Sequence, residues 1–151
     1  MKYRIRQASA NDEKRICGLY LEMLQTIYHT ENVEGYQAGD LDRFWTGDED
    51  RIFIAEDRTV VGFLSVEVHH EKTDYIYLDD FAVTAEYRNK GIGSALMKAA
   101  ESYANEISVF NLCLHVEKTN LSAMHFYENS GYVIYRDDGQ KFLLSKELSP
   151  M

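Results

Sequence analysis

A mixed, mostly antiparallel sheet with flanking helices, an α/β fold, is what this 151-residue sequence predicts. Three observations carry that reading. Apolar residues alternate with period two in short stretches and repeat at helical spacing between some of them, in the order β, α, short α, β, β, β, α, β, α, β, β. The strands within 51–83 are joined by tight polar turns, so this part of the sheet is antiparallel. A strand ending at Val83 runs through a polar loop with two glycines straight into a helix. The length predicts one domain, 1–151.

Lys2 to Ala8 reads as the first strand, with Tyr3 and Ile5 on one face. Ser9 followed by Asp12 resembles a capping box, with Asp in place of Glu or Gln. Ile16, Leu19, Tyr20, Met23, Leu24 and Ile27 then mark a helix running to about Tyr28. Residues 29–50 have weak periodicity and are acidic and aromatic, with a short helix expected near Asp40–Trp45. This segment is either one wall of a site for a cationic ligand or a solvated loop whose aromatics cap the core. Arg51–Glu56, Val60–His69 and Tyr75–Val83 are the hairpin-connected strands. The next helix follows Ile92 and ends near Glu106, and Phe110–Val116 is an apolar strand. Asn120 opens a short helix that stops at Gly131, a typical C′ glycine. Tyr132–Arg136 and Lys141–Leu148 are the last strands.

Composition narrows the function. The formal charge of −9 at pH 7 disfavours duplex nucleic acid, whose binding relies on a basic face, and favours a cationic substrate or serves solubility alone. No apolar run approaches the roughly 20 residues that span a membrane, and the N-terminus alternates like a strand rather than a signal peptide. Cys17 and Cys113 lie in different elements with no CxxC, which suits packed thiols in a reducing cytoplasm. His69 and His70 point to opposite strand faces and no metal-ligand spacing exists, so no metal site is expected.

The stretch from Leu78 to Met97 carries the chemistry. A glycine turn at a helix N-terminus leaves backbone N–H groups facing outward where the helix dipole adds positive potential, and Arg88 and Lys90 add two cations. That combination suits a phosphate or pyrophosphate. A nucleotide P-loop requires GxxxxGK[ST], but Gly93 is followed by Ser94-Ala95. A dinucleotide loop requires GxGxxG, but Leu96 occupies the third position and the preceding strands form hairpins. Arg88-x-x-Gly91-x-Gly93 after an apolar strand remains as a pyrophosphate cradle.

That run resembles the acetyl-CoA motif of the GNAT family of N-acetyltransferases, Q/R-x-x-G-x-G/A. A second stretch, Asn120-x-x-Ala123-x-x-Phe126-Tyr127-Glu128-Asn129-Ser130-Gly131-Tyr132, looks like the family's later motif, and the order of elements matches along nearly the whole chain. The resemblance implies a twisted sheet of six or seven strands. In it the strand before the loop carries a bulge and splays from Phe110–Val116 to admit the pantetheine arm. It implies backbone contacts to that arm from Phe81, Ala82 and Val83. It implies that Arg88, Asn89, Lys90, Gly91, Ile92, Gly93 and Ser94 hold the pyrophosphate, and that Asn120 touches the arm, beside a plain N-cap role. Dimers are common in the family, and the sequence itself reveals no interface.

Acetyl transfer to an amine needs a neutral amine, a polarised thioester carbonyl and a protonated or stabilised thiolate. A lysine-like amine with pKa about 10.4 is neutral only about once in 2,500 molecules at pH 7, so a base is useful. The resemblance puts Tyr127 at the family's acid position; the alternative is an aromatic that packs the helix face. Tyr75-Ile-Tyr-Leu-Asp79-Asp80 resembles a stretch of diamine acetyltransferases that places Asp79 at their candidate base, with Asp80 beside it. Adjacent strand residues face opposite sides, so one carboxylate faces substrate and the other pairs or sits at the bulge. Glu67, Glu117 or a water chain are the remaining bases. The expected activity is acetyl transfer from acetyl-CoA to a small cationic amine such as a polyamine or aminoglycoside. The alternatives are a protein N-terminus or lysine as acceptor, or a non-catalytic acyl-CoA-binding module.

Overall fold

The structure, a computed structural model, describes residues 2–150. Its described residues form a seven-stranded sheet ordered β1-β2-β3-β4-β5-β7-β6. The strands are β1 (Arg4–Gln7), β2 (Arg51–Asp57), β3 (Thr59–His70), β4 (Asp74–Val83), β5 (Asn111–Glu117), β6 (Val133–Asp137) and β7 (Lys141–Glu147). The helices are α1 (Glu13–Tyr28), α2 (Asp42–Thr46), α3 (Ile92–Glu106) and α4 (Leu121–Asn129). β1–β2, β2–β3, β5–β7 and β6–β7 pair antiparallel, and β4–β5 pair in parallel. The short Glu71–Thr73 connection makes β3 and β4 an antiparallel hairpin. The chain divides into two compact units: Met1–Val66 with Asp80–Ala100, and Glu67–Asp79 with Glu101–Met151.

In the first unit, Ile16 and Leu19 of α1 and Phe44 of α2 pack with Ile52, Ile54 and Phe63 of β2 and β3. Full burial of such side chains contributes about 1.5–3 kcal/mol each. The turn into α1 forms as its sequence predicts: the backbone N–H of Ser9 donates to the Asp12 carboxylate at 2.9 Å. Arg6 then binds Asp12 and Glu56 together, tying the start of α1 to β2. Within 29–50, Leu41 and Phe44 are buried at the foot of α2, and the Trp45 indole donates to Glu13 at 2.7 Å. This segment is therefore anchored by its aromatics even though its periodicity is weak.

In the second unit, Leu112, Leu114 and Val116 are buried on one face of β5, and Cys113 and His115 alternate onto the other. β5 pairs with β7 along its full length, from Asn111–Glu147 to Glu117–Lys141. Its ladder with β4 is far shorter: Ile76 lies opposite Leu112 and Tyr77 opposite Cys113. β6 is an edge strand with every residue exposed. It begins one residue later than its sequence suggests, because Tyr132 turns inward and is 1% exposed.

Candidate active site

The loop after β4 is built within the first unit. The Thr84 N–H donates to the Val61 carbonyl at 2.9 Å, and Ala85–Tyr87 make one 3-10 turn. Asn89 (φ 60°) and Gly91 (φ 84°) then turn the chain into α3. A side chain at Gly91 would be strained in that left-handed conformation. The first backbone bond of the helix is Ala95 N–H to the Gly91 carbonyl at 3.1 Å. Among the described residues, the N–H groups of Asn89 through Ser94 have no backbone or side-chain acceptor. Six donors at the positive end of a 15-residue helix suit an anion.

The two cations behave differently. Lys90 is exposed and has no acidic partner among the described residues. Arg88 turns back: its Nε donates to the Val83 carbonyl at 2.9 Å and its Nη2 lies 3.7 Å from Glu22. Glu22, on α1, also accepts from the Thr84 hydroxyl at 2.9 and 3.1 Å and from the Ala85 N–H at 3.3 Å. The charge of Arg88 is thus partly balanced, and Glu22 fixes the first turn of the loop. Ile92 is buried and Gly93 and Ser94 lie in the first helical turn. Ala82 is buried, with Phe81 and Val83 half-buried beside it. A Cβ at Gly62 would sit 3.2 Å from the Ala82 carbonyl, so β3 runs close against this part of β4.

The paired carboxylates separate, as adjacent strand positions must. Asp79 is exposed and Asp80 is half-buried. The Tyr36 phenol donates to the Asp80 carboxylate, and the Tyr36 ring stacks on Tyr20 with centroids 4.0 Å apart. The Asp80 N–H donates to the hydroxyl of Ser65 at 2.8 Å, a side chain that is 1% exposed.

In the second unit, the Asn120 side chain accepts from the Ala123 N–H at 3.2 Å and caps α4. Tyr127 follows on α4, with its ring edge-on to Tyr132 at 6.3 Å. Its hydroxyl has no hydrogen-bond partner among the described residues, and burial pushes the phenol up to about 12. Tyr132 is held by the Glu101 carboxylate at 3.3 Å, and Lys146 bridges that carboxylate (3.0 Å) and the Ser130 carbonyl (2.8 Å).

One cluster had no counterpart in the sequence reading. The Tyr77 hydroxyl on β4 lies 2.7 Å from Nδ1 of His115 on β5. Nε2 of His115 lies 2.8 Å from Asp138 in the β6–β7 turn, and Arg136 Nε donates to the same carboxylate at 2.6 Å. Those two partners hold the Asp138 carboxyl down at about 2. His115 also lines a groove of about 510 Å³ with Tyr75, Cys113, Tyr135, Arg136 and Ser145. The available signal was the inward Leu112, Leu114 and Val116, which place His115 on the opposite face of β5.

The family model described as the acetyltransferase (GNAT) family matches residues 21–132. The chain belongs to the GNAT family of acetyltransferases. An uncharacterized N-acetyltransferase of Methanocaldococcus jannaschii is 30% identical over 97% of this chain and 92% of its own length. Streptothricin acetyltransferase A of Bacillus subtilis is 33% identical over 46% of this chain, and the match spans 40% of that protein. Among solved structures, the PaiA N-acetyltransferase of Thermoplasma acidophilum in complex with coenzyme A superposes with a TM-score of 0.81. That match is 19% identical and covers 97% of this chain and 99% of the other, a likeness of fold.

Proposed function

We propose that this chain transfers an acetyl group from acetyl-CoA to a primary amine of a small cationic acceptor by direct attack on the thioester. One observation carries the reading: the unpartnered N–H groups of Asn89 through Ser94 at the N-terminus of α3, with the unpaired Lys90 beside them. They fit a pyrophosphate without further adjustment. Phe81, Ala82 and Val83 supply backbone groups to the pantetheine arm, and Asn120 both caps α4 and reaches that arm. Bound acetyl-CoA supplies the activated acyl group.

The remaining work falls to this chain's own side chains. Tyr127 stays protonated at neutral pH because its phenol is pushed up to about 12. Tyr127 therefore acts as a hydrogen-bond donor to the developing thiolate, and solvent completes the protonation. On the amine side, Asp79 draws the cation in and takes its proton, directly or through water. Asp80, engaged by Tyr36, positions the acceptor wall.

The small-amine acceptor is supported by the formal charge of −9 and by the likeness of Tyr75–Asp80 to diamine acetyltransferases. A peptide N-terminus is favoured by one contrary observation: the groove beside His115 is lined by Tyr75, Tyr135 and the cation Arg136, with no carboxylate among its lining residues to draw in a polycation. A steady-state thiol-release assay with polyamine, aminoglycoside and peptide panels separates them. Amine-dependent release with polyamines or aminoglycosides, above that with peptides, is expected. Acetyl-CoA binding without release by any amine would make the chain a binding module instead.

A further inference from the structure

We infer that Glu22, on α1, is a built-in competitor with the cofactor's phosphates: its carboxylate pairs with Arg88, and the pyrophosphate of acetyl-CoA or CoA takes that guanidinium over on binding. This rests on the reading of residues 89–94 as the pyrophosphate cradle.

The two sides of this pair are held unequally. The Glu22 carboxylate is bound to the start of the loop: it accepts from the Thr84 hydroxyl at 2.9 and 3.1 Å and from the Ala85 N–H at 3.3 Å. Arg88 is held at one point. A guanidinium carries five N–H donors. Among the described residues only its Nε–H is hydrogen-bonded, to the Val83 carbonyl at 2.9 Å. Nη2 lies 3.7 Å from Glu22 Oε2, near enough for Coulombic attraction and too far for a hydrogen bond. The four Nη N–H groups are therefore open to phosphate oxygens, which suit the planar fork of an arginine. The side chains are 41% exposed for Arg88 and 38% for Glu22, so their attraction is weak and screened.

Exchange is cheap on both sides. Departure of Arg88 leaves Glu22 with its two loop donors, so the carboxylate is not stranded. Nε–H can stay on Val83 while the fork turns about it. Arg88 directly precedes Asn89, the first of the open N–H groups, so its fork starts beside the anion that those groups would bind. Lys90 supplies the contrast. It is exposed with no acidic partner among the described residues, and it attracts phosphates without giving anything up. Of the two cations beside the cradle, only Arg88 is thus matched by an acid. The competition lowers affinity for acetyl-CoA and for the CoA product alike, and it hastens departure of the product, a step that often limits turnover.

The test is calorimetry of acetyl-CoA and of CoA with the full-length protein. Glu22→Gln keeps an oxygen that can accept from Thr84 and Ala85 and removes the charge that attracts Arg88. It should bind both ligands about two- to fivefold more tightly at low salt, the range of an exposed ion pair, and the gain should shrink as salt is added. In an Arg88→Gln background the gain should be mostly lost, because no guanidinium is left to release. An equal gain in both backgrounds would reduce Glu22 to long-range repulsion and overturn the exchange. Unchanged or weaker binding by folded Glu22→Gln overturns it too. A crystal structure of the wild-type protein with CoA covers the case in which Glu22→Gln does not fold. Arg88 Nη should then lie on a phosphate oxygen with Nε still on Val83; an Arg88 that stays turned to Glu22 overturns the exchange. Gly91→Val separates this from failure of the cradle. Tight binding kept in that variant removes the cradle reading, whereas binding lost there beside an unchanged Glu22→Gln counts against Glu22 alone.

Discussion

The phenol of Tyr36 hydrogen-bonds the carboxylate of Asp80, 44 positions further along the chain. The contact ties the connection between α1 and α2 to the end of β4, at the position just before the residues assigned to the cofactor arm. Hydrogen bonds to charged groups contribute about 1.5–3 kcal/mol. A double-mutant cycle of Tyr36→Phe and Asp80→Asn, read by urea denaturation, should return a coupling of about that size. Additive losses would show the pair to be energetically idle. If Asp80 positions the acceptor wall, both variants should raise the acceptor KM more than they lower kcat.

Tyr127→Phe removes one oxygen from a site where that oxygen has no protein partner among the described residues. The fold should tolerate the change. Turnover should fall by about tenfold or more while the Kd for acetyl-CoA, by calorimetry, stays within about twofold. Turnover near that of the wild type would assign the ring to packing against Tyr132.

Gly91 sits at φ 84°, and the open N–H groups of the cradle flank it. Gly91→Val adds left-handed strain of about 1–2 kcal/mol and puts a branched side chain where the phosphates approach. Acetyl-CoA affinity should drop by well over tenfold, with only a modest loss in Tm. Tight binding retained in this variant would move the pyrophosphate elsewhere. Lys90→Ala should weaken binding less, and the difference from wild type should shrink as salt is added, because an exposed charge is screened.

The Asp138 carboxyl is held at about 2, below its ordinary 3.8, first by Arg136 and then by His115. A depressed folded-state pKa gives stability that is present above the unfolded value and lost as pH falls. Wild-type stability should therefore decline between about pH 4 and pH 2 through this group, and Asp138→Asn should flatten part of that decline. Chemical denaturation at stepped pH measures it; parallel curves for the two proteins would show that the contacts to Asp138 do not stabilise the fold.

Much of this was legible in the chain. The β4–loop–α3 segment declares itself because its signals are local: an apolar strand, glycines at turn positions and a helix repeat. Asn120 and Gly131 bracket α4 for the same reason. Contacts between residues distant in sequence were not legible. Tyr77 and His115 are 38 residues apart and meet through the short parallel ladder of β4 and β5. Arg88 looks like a phosphate ligand in sequence, and only α1, carrying Glu22, explains why its side chain turns back. The rise in the Tyr127 phenol comes from packing, which no spacing of residues encodes.

The β3–β4 hairpin contributes to both compact units, so neither unit is a continuous stretch of chain. This sets an order of assembly during synthesis. The first unit has all its segments once Ala100 has left the ribosome, whereas Glu67–Asp79 must wait for the segment that starts at Glu101. Because β4 and β5 pair in parallel across α3, that ladder closes over a long separation and belongs among the slower folding events. The half of the hairpin that carries Tyr77 and Asp79 is thus emerging chain with an unmatched edge, exposed to chaperones and to neighbouring nascent chains until β5 arrives.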